Sequence, residues 1–97
     1  MTLVVKVANG CIEEFVNGKL RRTYGASFID VSTDGAIVAA VTSSGRVVEY
    51  QDGKLLRNYG SRARRVEVAG GLVAVTLDDG RIRNYENGNC LRSANAA

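Results

Sequence analysis

Apolar residues along this chain recur with partial alternation over strand-length runs, and each run is cut off by a dipeptide ending in glycine. Val47, Val48 and Tyr50, then Val66 and Val68, then Leu72, Val73, Val75 and Leu77 follow this rhythm. Such β-branched and aromatic residues fit a pleated, half-buried surface. Eight dipeptides punctuate the runs: Asn9-Gly10, Asn17-Gly18, Asp34-Gly35, Ser44-Gly45, Asp52-Gly53, Gly70-Gly71, Asp79-Gly80 and Asn87-Gly88. Asn-Gly and Asp-Gly tolerate the positive φ of tight hairpin turns, so their close spacing predicts short antiparallel strands. Tyr24-Gly25 and Tyr59-Gly60 divide the two longer intervals. No window shows the recurrence at three and four residues that a helix requires, and the absence of proline leaves every ladder amide available.

The pattern repeats. GCIEEFVNGKLRRTYG begins at Gly10, GRVVEYQDGKLLRNYG at Gly45 and GRIRNYENGNCLRSAN at Gly80, a period of 35 residues. A fixed period of this length marks a repeat architecture whose units cannot bury their apolar faces alone. One full unit reads as four strands, Phe28 to Val31, Ala36 to Thr42, Arg46 to Tyr50 and Leu55 to Tyr59. The next comprises Arg65 to Val68, Leu72 to Leu77, Arg81 to Tyr85 and Cys90 to Ser93. The first unit starts one strand late, with Leu3 to Val7, Ile12 to Phe15 and Leu20 to Tyr24, so eleven strands are expected in all. The chain divides into a three-strand unit over residues 1–24, full units over 25–59 and 60–94, and a tail over 95–97.

A chain of 97 residues forms one domain with a modest core. Its charge of +3 falls short of the concentrated positive field of a dedicated nucleic-acid binder. Cys11 and Cys90 stand at no metal-ligand spacing, and Cys90, in the place of Leu20 and Leu55, reads as a small buried apolar side chain. A disulfide between the two would require the chain ends to meet. The amino-terminal run MTLVVKVANG has neither the basic leader of a signal peptide nor the length of a membrane span. A reducing, cytoplasmic setting is expected, with no membrane partner, cofactor or metal.

Four antiparallel strands per repeat, joined by tight turns, are what a β-propeller blade needs. VEVAGGLVAVTLDDGRIRNYENGNCLRS resembles a WD-repeat or related propeller blade, with Tyr85-Glu86 standing where that family often has Trp-Asp. Tyr50-Gln51 and Phe15-Val16 fill the same place in the other copies, and IDVSTDG from Ile29 to Gly35 resembles the ending of a first blade strand. Trp and His are absent, so the hydrogen-bonded network of typical WD repeats cannot form. The resemblance implies an all-β fold of about 2.75 four-stranded blades, eleven strands at four per blade. A propeller needs about four to eight blades, so closure is expected through homo-oligomerisation, with a dimer preferred over a trimer. The alternative scaffold is a β-trefoil, also made of three four-strand repeats.

Residues that differ between repeats are the candidates for binding. After Tyr59-Gly60 the connection to the next strand reads as enlarged by two residues and as carrying Arg62, Arg64 and Arg65. Arginines on such a loop could take an anion or an acidic partner, and with Arg57 they offer a nucleic-acid alternative; the competing reading is a solvated loop whose arginines pair with neighbours such as Asp30 or Glu67. Tyr24 and Tyr59, equivalent strand-ending aromatics, could stack on a sugar or base, or could pack. Phe15, Tyr50 and Tyr85 read as core, and Asp30 and Glu67 as channel-lining acids if the first strand of each blade is innermost. With no histidine, paired carboxylates, nucleophile elbow or P-loop, an enzyme is not expected. The sequence favours a non-enzymatic interaction module binding a macromolecule through its loops, with a multivalent glycan-binding lectin as the alternative and weak nucleic-acid or anion binding after it.

Overall fold

The computed structural model describes residues 2–91, and within them the chain forms eleven strands and no helix. The strands form three separate meander sheets, and within each sheet every strand pairs antiparallel with its neighbours in sequence. The first holds β1 (Leu3–Ala8), β2 (Cys11–Val16) and β3 (Lys19–Tyr24). The middle sheet holds β4 (Phe28–Thr33), β5 (Val38–Thr42), β6 (Val47–Gln51) and β7 (Lys54–Tyr59). The third holds β8 (Ala63–Ala69), β9 (Leu72–Leu77), β10 (Ile82–Glu86) and β11 (Asn89–Cys90). No strand pairing joins one sheet to another, so the barrel a trefoil requires is not formed. Of the expected strand Cys90 to Ser93, Cys90 falls in β11, while residues 92–93 and the 95–97 tail lie outside the described residues.

Turn chemistry explains the hairpins. Both central residues have positive φ at Asn9-Gly10, Asn17-Gly18, Asp52-Gly53, Gly70-Gly71 and Asn87-Gly88, the geometry whose twist matches two-residue hairpins. At Asp34-Gly35, Ser44-Gly45 and Asp79-Gly80 only the glycine is left-handed, and side chains close the turn instead. Asp34 accepts from the amides of Ala36 and Ile37, and Asp79 from that of Arg81.

The middle sheet is packed on both sides. Ile12 of the first sheet meets Phe28, Val38 and Ala40, with Leu3, Val5, Val7, Tyr24 and Tyr50 around them. On the other face, Ala39, Val41 and Val47 pack against Ala63, Val66, Val68, Val73, Val75, Leu77 and Tyr85 of the third sheet. Hence Val38 to Val41 of β5 are all buried, although strand side chains alternate between faces.

The sheets are also tied by a repeated backbone bond. The Phe28 amide donates to the Gly10 carbonyl at 2.9 Å, and 35 residues on the Ala63 amide donates to Gly45 at 2.9 Å. Two further bonds recur: Ser43 to the Ser27 carbonyl at 2.7 Å and Asp78 to the Arg62 carbonyl at 2.8 Å. The register therefore repeats through the connections between sheets, and β4 and β8 start 35 residues apart. This corrects the expectation of an enlarged arginine connection. Only three residues, Gly25 to Ser27 or Gly60 to Arg62, separate the sheets in each case. Arg64 and Arg65 belong to β8. Both connecting strands carry a bulge after their first residue, at Ile29 and at Arg64, which shifts the apolar alternation by one.

Candidate functional site

The most concentrated chemistry lies between sheets, at a pair of buried acids. Glu14 on β2 and Glu49 on β6 are each 1% exposed, inside otherwise apolar junctions. A buried carboxylate survives only if paired and hydrogen-bonded. Arg22 reaches Glu14 at 3.2 Å, and the Tyr24 hydroxyl donates to its second oxygen. Arg57 reaches Glu49 at 2.8 Å, and the Tyr59 hydroxyl again supplies the second bond. Each acid faces its arginine directly across the ladder, in the pairs Glu14 with Arg22 and Glu49 with Arg57. A bulge follows each pair, at Arg21 and at Leu56, in the outer strand.

Desolvation first, then the hydrogen bond to Glu14 and its charge, push the Tyr24 phenol far above its ordinary range. Tyr59 is raised by burial and by Glu49 in the same way. Both phenols are therefore fixed donors at neutral pH. Each half-buried ring also meets a second one: Tyr24 lies 4.7 Å from Tyr50 between centroids, and Tyr59 lies 4.5 Å from Tyr85.

The candidate residues consequently fall in separate places. Arg57 and Tyr59 share Glu49, while Tyr24 serves the other junction. Arg62, at positive φ between sheets, binds Asp78 at 2.7 Å and approaches Asp79 at 3.9 Å, and Arg81 lies 3.6 Å from Asp79. The arginine partners are thus Asp78 and Asp79 rather than Asp30 or Glu67. Arg62 and Arg64 line an open cleft of about 160 Å³ with Ser43, Ser44 and Asp78. Arg65 points instead to the outward face of the third sheet, paired in register with Thr76.

Several residues act differently from their sequence reading. Asp30 accepts from the Val66 amide at 3.0 Å, Ser32 from Val68 at 3.0 Å and Asp34 from Gly71 at 2.9 Å. Asp30 thus connects β4 to β8, and it lines one cleft together with Glu67. At Asp34 desolvation acts upward, but the amides of Ile37, Ala36 and Gly71 together outweigh it and hold the carboxyl below its usual range. Cys90 is exposed, as are Leu20 and Leu55 at the equivalent position, so this site lies on the surface in all three copies. Both cysteines are free thiols.

Sequence reasoning passed over Glu14, Arg22 and Glu49. Their signal was the spacing itself: a glutamate followed eight residues later by arginine and ten later by tyrosine, repeated at 35. Among the described residues no three His, Cys, Asp or Glu side chains are gathered to hold a metal, and no helix is long and apolar enough to cross a membrane. Every buried side-chain N or O among them has a partner.

The model of one protein family, described as Helicobacter pylori IceA2 protein, matches the chain twice, over residues 1–55 and 44–94. No curated protein matches it significantly.

Proposed function

The chain belongs to the family of the Helicobacter pylori IceA2 protein, and we propose that it is a non-enzymatic interaction module whose sheets act as propeller blades, completed into a ring by further copies and binding a macromolecular partner along one rim. The observation that carries this reading is a contrast between the two sheet junctions. Their interiors repeat: Glu14, Arg22 and Tyr24 in one, Glu49, Arg57 and Tyr59 in the other. Their rims do not. Where the first junction has Ser27, Ser43 and Ser44, the second has Arg62, Asp78 and Asp79. Repeated side chains hold sheets together, whereas unrepeated ones on connections are the residues a partner can select.

Meander sheets stacked in sequence order support the blade reading, as does the side-chain bridging between the first strands of successive sheets. The WD-repeat resemblance contributes the blade geometry alone, because the Trp and His of that family are absent.

A photo-crosslinking residue at Ser61, with Lys54 as an off-rim control, tests the rim in cell extract. A discrete adduct from Ser61 that disappears in an Arg62→Ala, Arg64→Ala variant supports it. Equal labelling from both positions, together with a saturable hit on a glycan array, would replace it with the lectin reading. Binding to single-stranded or duplex nucleic acid that falls steeply between two salt concentrations would favour the nucleic-acid reading.

A further inference from the structure

The two ends of the sheet stack carry the two halves of a junction that the chain already makes twice. The half that each sheet offers to the next includes Ile12 in the first sheet and Val47 in the middle one, both 0% exposed. In the third sheet the same position is Ile82, 39% exposed. Register places Ala74, Thr76, Ile82 and Asn84 on that outward face, opposite the one packed on the middle sheet. Arg65 and Glu67 of β8 complete it, and a cleft of about 360 Å³ opens there that reaches Asp30 of the middle sheet.

The receiving half is set by aromatic residues and valines. Tyr50 seats beside Tyr24, and Tyr85 beside Tyr59. Pairing opposite these rings are Val38 and Val73, each 1% exposed. In the first sheet the matching pair is Val4 with Phe15, and Leu20 lies across from Phe15 on the same face. Here Val4 is 52% exposed. Lys6, the charge in this row, already lies 3.6 Å from Glu13 and 5.4 Å from the Phe15 ring centre.

We propose that the outward face of the third sheet, centred on Ile82, docks onto the outward face of the first sheet, centred on Val4 and Phe15, of a second copy of this chain. The inference rests on the ring reading above and specifies its contact as heterologous, head to tail. Continuity with the internal junctions argues for this occupant, since the second copy would supply a face whose two homologues are already seated in the chain. The sequence of the third unit suits an incoming partner. Asn84 stands where Glu14 and Glu49 are buried, so covering the face desolvates no carboxylate at that position.

Light scattering over a dilution series, on the intact chain and on two surface variants, decides the matter. The expected result is an assembly for the intact chain and the 10.4 kDa protomer for Ile82→Asp and for Val4→Asp separately. Mixing the two variants is then expected to give a one-to-one pair and nothing larger, because one keeps an intact third-sheet face and the other an intact first-sheet face. Circular dichroism verifies folding, and Ala74→Arg, on the same face, takes the place of Ile82→Asp if that variant is unfolded. An intact chain that stays monomeric at all concentrations overturns the ring reading and the contact with it. Assembly that survives both substitutions overturns the contact alone. An oligomer lost in only one variant, with no pair on mixing, also overturns it by showing a face that docks on itself.

Discussion

The middle and third sheets share a period, a strand order and a turn chemistry, yet the same position is treated in opposite ways. Glu49 is sealed beneath the third sheet with Arg57 and Tyr59 on its two oxygens, whereas its counterpart Asn84 is uncharged and only half-buried. Burying a carboxylate is tolerable where the same chain guarantees its partners and its cover. On the outward face of the third sheet no described sheet provides that cover. The repeat therefore conserves geometry while changing charge according to whether a neighbour is built in.

The sharpest way to break this contrast is to put a new acid at one repeat position in both settings. Val47→Asp buries an unpaired carboxylate in the junction and is expected to cost about 4–5 kcal/mol or more, enough to unfold a domain of this size. Ile82→Asp, at the matching place on the open face, is expected to cost about 1 kcal/mol or less at protomer level. Urea denaturation of the two variants at equal, low concentration measures the difference; similar losses would show that the third-sheet face is already covered.

Removing the acid gives the next largest effect. Glu49→Ala strands Arg57 and the Tyr59 hydroxyl, with an expected loss of about 2–4 kcal/mol, against less than about 1 kcal/mol for Asn84→Ala. Arg57 is partly exposed and can regain water, which keeps the first figure from the top of the range for buried pairs. Tyr59→Phe leaves one carboxylate oxygen unsatisfied and is expected to cost about 1–3 kcal/mol. Denaturant midpoints that rank Glu49→Ala below Tyr59→Phe and both below Asn84→Ala would fit; any other order would separate the burial of the acid from its pairing.

The mildest perturbation is alkaline pH. Folding raises the pKa of Tyr24 and Tyr59 above the ordinary 10.0, so the neutral phenols favour the folded chain. Their contribution is complete below pH 10 and declines as the pH rises beyond it toward the folded values. Thermal melts should therefore be flat through neutrality and fall above about pH 10, and the double Tyr24→Phe, Tyr59→Phe variant should lose that component of the alkaline slope. An unchanged slope would assign it to other groups.

The hairpins were legible because Asn-Gly and Asp-Gly impose a backbone conformation locally, which is why eleven strands could be read from the punctuation. The passage between sheets was not. Matching Ile29 and Val31 with Val66 and Val68 by hydrophobicity suggests a longer second connection, but the constant register aligns Ile29 with Arg64, the two bulged residues. A bulge moves the alternation by one position and so defeats a reading based on alternation. The buried acids were hidden for a related reason: Glu14 and Glu49 look like solvent-facing polar positions until packing of the following sheet covers them. Cys90 failed in the opposite direction, because an apolar residue type at an outer strand need not face a core.

The strict order of the meanders bears on how the chain acquires its structure in time. Each strand pairs in its ladder only with strands next to it in sequence, so loop closure within a sheet costs little entropy, whereas all-β folds with distant pairings are slow. A hairpin forms in about 1–10 μs, while synthesis proceeds at about 5–20 residues per second. Every sheet can thus be paired before the next has been translated. A single repeat unit cannot bury its apolar face alone, so the first sheet is secured when Phe28 and its strand arrive to cover Ile12, and the middle one when Ala63 brings β8 over Val47. Growth is vectorial, from the amino-terminal sheet onward, and the last face to be made is the one that no later segment of the described chain arrives to cover.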